Sequence, residues 1–193
     1  MAAKRQAFLK ELRGLDAKRL VFLDEAGANI AMGRSHAWVM RGEEYVEARP
    51  MNWGDNLTLI GAVRLSGWVT LGTQWGAATK VTFMSWVRDR LAPKLRHGDI
   101  VLLDNLKAHQ APAVREFIEA RGATVKFLPP YSHDFNPIEP VWALVKKDIR
   151  RFAPRTAAAL RRVARAARHV VRPDHCRQFF AHIGYVNSSA RRD

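Results

Sequence analysis

Two short apolar runs in this chain each end in an aspartate, and a glutamate follows the second run. The runs span 19–24 and 99–104 and end at Asp24 and Asp104, while 34 residues separate Asp104 from Glu139. Apolar runs of this length are typical of buried strands, so we expect each aspartate where a strand leaves the core. Carboxylates gathered at strand ends of a basic protein indicate a magnesium site for chemistry on phosphodiesters.

Each of these carboxylates also has a purely structural interpretation. An aspartate after a strand often opens a turn. Asn136, Pro137 and Glu139 have the spacing of a helix N-terminus with a capping box. In the helix that follows, Glu139 shares a flank with Lys146 and Arg150, which could hold a phosphate backbone or could be solvated. Helix geometry alone leaves both interpretations open.

Composition limits the class of protein. The 193 residues and their 48% apolar share fit one domain with a real core. The net charge of +14 favours a polyanionic partner, most plausibly nucleic acid. A single cysteine excludes an internal disulfide. Neither an apolar run long enough for a membrane span nor a secretory signal is present, so we expect a cytoplasmic protein without membrane contact.

The order of predicted elements indicates a mixed α/β sheet, because strands in hairpins precede strands that alternate with helices. Predicted strands cover 19–24, 43–49, 57–64, 67–73, 100–104 and 124–128. Predicted helices cover 3–17, 80–91, 111–121, 137–151, 156–171 and 174–182. We divide the chain into an N-terminal helix or linker remnant (1–18), a catalytic domain (19–152) and a basic helical C-terminal extension of the same domain (153–193).

The helix predicted over 156–171 carries a stripe of arginines. Its members are Arg161, Arg165, Arg168 and Arg172. A charge run is often a solvated face, but charges nearly all of one sign favour contact with DNA. The six tryptophans could include one that stacks on bases, although most are expected in the core or at interfaces. They are Trp38, Trp53, Trp68, Trp75, Trp86 and Trp142.

Taken together, these segments resemble the catalytic domain of DDE transposases, in the branch of bacterial insertion sequences related to the mariner elements. The resemblance rests on Phe-Leu-Asp-Glu-Ala-Gly at 22–27, Leu-Ile-Gly-Ala at 59–62, Leu-Ala-Pro at 91–93, Gly-Asp-Ile-Val-Leu-Leu-Asp-Asn at 98–105 with His109, Leu-Pro-Pro-Tyr-Ser-His-Asp-Phe-Asn-Pro-Ile-Glu at 128–139, and Phe-Phe-Ala-His-Ile-Gly-Tyr at 179–185. The 34-residue spacing, with Leu-Pro-Pro-Tyr and Asn-Pro-Ile-Glu before the third carboxylate, makes the resemblance specific.

The resemblance implies an RNase H-like fold, here a mixed five-stranded sheet flanked by helices. It implies that Asp24, Asp104 and Glu139 are catalytic metal ligands, which would hold Mg²⁺ or Mn²⁺, two ions in all. Second-tier residues near the site are Asn105, His109 and Asn136. The implied reactions are cleavage at transposon ends and transfer of the freed 3′-OH into target DNA. The implied assembly is a homodimer on DNA, at the bacterial nucleoid.

The chain departs from the family in several ways, two of which bear on function. His133 stands where the family usually has proline, and it could change the loop before Glu139. Relatives carry an N-terminal helix-turn-helix region for which this chain has no room, so a separate helix-turn-helix polypeptide is a possible partner. Two alternatives stay open: a non-catalytic or domesticated DNA-binding fragment, and an RNase H-like nuclease that acts on RNA–DNA hybrids.

Overall fold

The apolar runs of the sequence form five strands of one mixed sheet. The computed structural model describes residues 2–34, 36–52, 54–106 and 109–186. The strands lie in the order β3-β2-β1-β4-β5. They are β1 (Leu20–Ala28), β2 (Leu57–Arg64), β3 (Gly67–Trp75), β4 (Ile100–Leu103) and β5 (Thr124–Phe127). Strands β1, β2 and β3 are antiparallel neighbours, whereas β1, β4 and β5 run parallel. The predicted five-stranded mixed sheet is confirmed.

Strand β1 joins the antiparallel part of the sheet to the parallel part. It pairs with β2 as far as Ala28, but its parallel pairing with β4 covers only Leu20 to Phe22. The prediction that the first strand ends at Asp24 is therefore wrong, because β2 keeps β1 extended for four more residues. The prediction for the run at 99–104 is closer to the structure, because β4 ends at Leu103 and Asp104 follows it directly.

Six helices cover the two faces of the sheet within the described residues. They are α1 (Ala2–Arg13), α2 (Lys80–Trp86), α3 (Pro112–Glu119), α4 (Ile138–Phe152), α5 (Ala157–Ala166) and α6 (Pro173–Ile183). Helix α4 packs on the sheet through one apolar face with five buried members, namely Ile138, Val141, Trp142, Val145 and Ile149. None of the helices described here is both long enough and apolar enough to cross a membrane.

Side chains of β1 alternate between two hydrophobic clusters, as the period of a strand requires. Leu20 and Phe22 pack in a cluster with residues of α1, α4, α5 and α6. Val21 and Leu23 pack in the other cluster, with α2 and α3. By the same alternation, Asp24 belongs to the α4 face of the sheet and Glu25 to the α3 face.

Other predicted elements also differ from the structure. Residues 43–49 form no strand: Tyr45 and Val46 are both exposed, and the Glu47 carboxylate instead binds the Arg34 amide at 3.0 Å and Arg155 Nη2 at 2.7 Å. The helix predicted over 156–171 is shorter, because α5 ends at Ala166 and tightens into the 3₁₀ turn Ala167–His169.

The segments outside 19–152 share the core of the domain. Leu12 of α1, Leu160 of α5 and Phe180 of α6 are fully buried in the same cluster as Phe22. The limits proposed at 18/19 and 152/153 and the basic character of the C-terminal extension stay predictions. Of the positions named above, Met1, Trp53 and the end of the extension (187–193) lie outside the described residues.

Candidate active site

The strand register brings the two aspartates to the same level of the sheet. Val21 lies opposite Val101 and Phe22 opposite Leu102, so continuing this register puts Asp24 opposite Asp104. Neighbouring strands lie about 4.8 Å apart. Strand β4 ends just before this level, while β1 continues past it along β2. The sheet therefore opens at Asp24 on the side where Asp104 lies.

Asp24 is held from the α4 face. The Trp142 indole Nε1 donates to Asp24 Oδ2 at 3.2 Å. Gly61, the partner of Asp24 on β2, makes room for that indole, since a Cβ atom there would lie 2.7 Å from Trp142 Cη2. Burial raises the pKa of Asp24 to about 7, and the charges of Glu139 and Asp104 add to the rise. Glu139 and Asp104 thus each lie close enough to Asp24 to disfavour its charged form.

Asp104 is held from the other side by a buried histidine. His109 is 1% exposed, and its Nδ1 is hydrogen-bonded to Asp104 Oδ1. Its Nε2 lies 3.4 Å from Glu25 Oε1, and its ring stacks on Phe83 with the centroids 4.2 Å apart. Burial alone would lower the pKa of His109, but the hydrogen bonds to Asp104 and Glu25 raise it to about 9. At neutral pH His109 is therefore a cation that links two carboxylates.

Glu139 lies in the first turn of α4 and does not close a capping box. Asn136 Oδ1 accepts a long hydrogen bond of 3.4 Å from the Ile138 amide. The position before the helix, Pro137, has no side-chain cap. The Glu139 carboxylate is 42% exposed and instead lies 3.4 Å from Nδ1 of His133. The structural interpretation of Glu139 as a capping residue is therefore wrong, since α4 begins one residue later than the pattern predicts.

The remaining predicted residues stay predictions. Asn105 is exposed and accepts hydrogen bonds from Gln110, while Asn136 is buried under the start of α4. Lys146 and Arg150 lie half-buried along α4. Arg161 is half-buried and the other three arginines of the predicted stripe are exposed, but the stripe is not one helix face. Its members lie on α5, on the 3₁₀ turn and before α6: Arg161, Arg165, Arg168 and Arg172.

Sequence reasoning missed two residues that hold the carboxylates. Glu25 follows Asp24 directly, and strand alternation could have placed its side chain on the face that carries His109. Trp142 follows Glu139 by three positions, the spacing that places two side chains on one helix flank. Neither signal identifies the partner of the side chain, which is His109 for Glu25 and Asp24 for Trp142.

The donor set fits a hard divalent cation. Among the described residues, no three Asp, Glu, His or Cys side chains already lie close enough together to hold a metal ion. However, carboxylate oxygens are the ligands that Mg²⁺ prefers and that also suit Mn²⁺. The raised pKa of Asp24 reflects burial and negative neighbours, a cost that a cation would offset. Asp24, Asp104 and Glu139 would be its ligands.

Comparisons with known proteins identify the family of this chain and its fold. The family described as DDE superfamily endonuclease matches residues 19–161. The Mos1 mariner paired end complex with Mn has a TM-score of 0.68 at 18% identity, covering 94% of this chain and 57% of that chain. A pre-cleavage Mos1 transpososome has a TM-score of 0.60 at 17% identity, covering 94% of this chain and 61% of that chain.

The isolated catalytic domain of Mos1 mariner transposase gives a TM-score of 0.55 at 16% identity, covering 94% of this chain and 91% of that domain. At identities this low, the structural matches show the fold alone. They confirm the predicted RNase H-like sheet flanked by helices. The chain spans 57% of the length of the Mos1 protein in the paired end complex. Among curated proteins, none matches the sequence.

Proposed function

We propose that this chain, which belongs to the DDE superfamily endonuclease family, is the catalytic domain of a transposase. It would cleave DNA at transposon ends and join the freed 3′-OH to target DNA. The observation that carries the proposal is that Asp104 and Glu139 both lie near Asp24, at the opening of the sheet. Asp24 and Asp104 share a level through the β1–β4 register, and the charge of Glu139 raises the pKa of Asp24.

The proposed ligands of the divalent ions are Asp24, Asp104 and Glu139. Two ions, Mg²⁺ or Mn²⁺, are proposed, and the related Mos1 complexes contain Mn in one case and Mg in another. The chemistry that such ions supply when bound is activation of a water or 3′-hydroxyl and stabilisation of the leaving oxygen. Trp142 orients Asp24 by donating to one of its oxygens, and His109 orients Asp104 in the same way.

The proposed partner is DNA, both transposon ends and target. The net charge of +14 supports binding to a phosphate backbone. The similarity to Mos1 paired end complexes supports a homodimer assembled on DNA ends. A separate helix-turn-helix polypeptide for end recognition, and action at the nucleoid in the cytoplasm, are parts of the same proposal.

The test is DNA cleavage by purified protein. The substrate is labelled DNA that carries the inverted repeats flanking the gene, incubated with Mg²⁺ or Mn²⁺. Glu139→Gln keeps the size of the side chain but removes a ligand charge, so cleavage should fall by roughly a thousandfold. The matched control is Glu119→Gln on α3, whose carboxylate is 46% exposed and pairs with Arg115. It should cleave like the unchanged protein.

Three outcomes would redirect the proposal. Cleavage that survives in Glu139→Gln would refute the assigned ligands. DNA binding without any cleavage by the unchanged protein would favour the non-catalytic DNA-binding fragment. Preferential cutting of the RNA strand in RNA–DNA hybrids would favour the RNase H-like nuclease.

A further inference from the structure

A cleft opens beside the end of β3, on the face of the sheet that carries α4 and α5. Its volume is about 490 Å³, and its walls are Ile30, Asn52, Gly54, Asp55, Trp75 and Ala157. Pockets that take small organic molecules commonly measure about 300–1,000 Å³. The cleft is therefore large enough for one nucleobase with its sugar.

The aromatic wall of the cleft is Trp75, the last residue of β3. Its backbone pairs with Leu57 of β2, and just beyond this pair the Gly76 amide donates to the Asn56 carbonyl at 2.8 Å. The Arg161 guanidinium lies over the Trp75 ring, 5.2 Å from its centre. Trp75 is thus held in place from β2 on one side and from α5 on the other, as a stacking surface should be.

Arg161 places a positive charge beside the cleft. Its guanidinium lies over Trp75, and Ala157, one helical turn earlier on the same face of α5, lines the cleft. A cation next to a stacking surface suits a ligand that carries phosphate groups.

The polar groups of the cleft suit the edge of a base. Asn52 carries an amide that both donates and accepts, and Asp55 is an acceptor for an exocyclic amino group. The helix beside them carries Arg161, Arg162 and Arg165 and no acidic residue. A cleft with one stacking surface, base-edge partners and cations alongside matches the way proteins bind single-stranded nucleic acid.

The position of the cleft relates it to the carboxylates. Asp24 and Ala28 lie four residues apart on β1, and the level of Ala28 is also the level of Leu57 and Trp75. Four residues span about 13 Å along the strand, and two strand spacings add roughly 10 Å across the sheet. Trp75 is thus on the order of 16 Å from Asp24, about four to five nucleotide steps of 3.4 Å along a DNA strand.

We infer that this cleft binds one unpaired nucleobase of the DNA substrate, stacked on Trp75, a few nucleotides from the bond that is cut. This inference rests on the proposed function, because it takes the strand in the cleft to be the one that reaches the carboxylates. Binding of an unpaired base would hold that strand separate from its complement near the active site. Stacking tolerates any base, so the cleft would add affinity with little sequence preference.

The test compares two variants of Trp75 that both keep an apolar side chain against the core. Trp75→Phe retains an aromatic face, whereas Trp75→Leu does not. The probes are a labelled oligonucleotide of about 12 thymidines, within the span of single-strand sites, and a duplex of the same length. Fluorescence anisotropy in EDTA gives both affinities without any contribution from the metal site. Trp38→Leu is the matched control, since Trp38 is fully exposed elsewhere.

Trp75→Leu should weaken single-strand binding by roughly 5- to 100-fold, and Trp75→Phe by less than about threefold. Duplex affinity should stay within about twofold in both variants. Equal single-strand affinities of the Leu and Phe variants would overturn the inference, as would an equal loss for duplex. Because binding is measured without metal, loss of the base subsite is distinguishable from failure of the catalytic proposal.

Photocrosslinking gives a second, independent readout. Oligonucleotides that carry a single 5-iodouracil are bound to the unchanged protein and irradiated, and the attached peptide is identified by mass spectrometry. A crosslink to Trp75 is expected, because this base analogue reacts with the aromatic ring on which it is stacked. Crosslinks confined to other residues would overturn the assignment even if the affinities behaved as expected.

Discussion

Strand β4 has an aspartate at each end, and the two have opposite surroundings. Asp99, just before the strand, is fully buried, and its Oδ2 accepts hydrogen bonds from Arg64 Nη2 at 3.0 Å and from the Arg96 amide at 2.8 Å. Asp104, just after the strand, is 26% exposed; His109 is hydrogen-bonded to one of its oxygens, and Asp24 lies at the same level on β1. A buried carboxylate with a permanent cation supports the fold. One that lies among other carboxylates is poised for a mobile cation.

The largest effect is expected from the loss of one charge at Asp104, where β4 ends at the proposed active site. Asp104→Asn should reduce metal-dependent DNA cleavage by roughly a thousandfold or more, because it removes a proposed ligand. Its free energy of unfolding should fall by less than that of Asp99→Asn, because the buried partner of Asp104 is His109, which can give up its proton, whereas Arg64 cannot. Cleavage assays and urea denaturation measure the two quantities. A strongly destabilised but active Asp104→Asn protein would reverse the roles assigned to the two ends.

The same Asp-to-Asn substitution at Asp99, before β4, should lower stability and leave cleavage intact. Asp99→Asn leaves Arg64 buried without its counter-charge, and this should cost about 3–5 kcal/mol of unfolding free energy. That is a large part of the roughly 5–15 kcal/mol that stabilises a domain. Cleavage per folded molecule, measured at a temperature where the variant is still native, should match that of the unchanged protein. An inactive but fully stable variant would contradict the comparison.

A smaller effect is expected from the histidine that holds Asp104. His109→Gln removes the cation between Asp104 and Glu25 but leaves all three proposed ligands in place. Loss of such a supporting partner typically lowers metal affinity by about 10- to 100-fold. Titration with Mn²⁺, followed by electron paramagnetic resonance, gives the affinity directly. His182→Gln, at an exposed position on α6, is the control and should bind Mn²⁺ normally.

The smallest expected effect is the pH dependence of the stability that Asp24 contributes. The pKa of Asp24 is raised to about 7 in the folded state from 3.8, so proton binding favours the fold. This contribution is fully present below about pH 4 and is lost as the pH rises through about 7. Without metal, Asp24→Asn should therefore be more stable than the unchanged protein at about pH 8, and the gain should vanish near pH 4.

Thermal unfolding across this pH range measures the Asp24 effect. Added Mg²⁺ should raise the Tm of the unchanged protein and leave that of Asp24→Asn nearly unaffected, because ligand binding stabilises the state that binds it. A Tm difference that does not depend on pH would show that the pKa of Asp24 is not raised in the folded protein.

The two ends of β4 also show what sequence can predict. Strand β4 is buried on both faces, so it is a continuous apolar run, and its length places Asp104 correctly at the exit. The run before Asp24 has the same pattern, yet β1 continues to Ala28 because residues 57–64, distant in sequence, pair with it. Local patterns therefore locate a buried strand well and its end poorly.

The contacts that support the site depend on distant partners. His109 lies five positions after Asp104, which makes their contact easy to suspect. Its second partner, Glu25, is 84 positions away, and Phe83 of α2 provides the ring on which His109 stacks. Nothing in the run at 99–104 distinguishes the aspartate that pairs with Arg64 from the one that joins the site. That distinction depends on where β2 places Arg64.

The packing of α1 has a practical consequence for anyone who trims this protein. The family match begins at residue 19, yet Leu12 is fully buried in the core and Phe8 stacks on Phe135, with the ring centroids 6.5 Å apart. Phe135 belongs to the turn that leads into the helix bearing Glu139. A protein shortened to begin at residue 19 would leave a cavity and exposed apolar side chains beneath that turn. Expression should therefore start before Ala2, with any purification tag placed upstream of the helix.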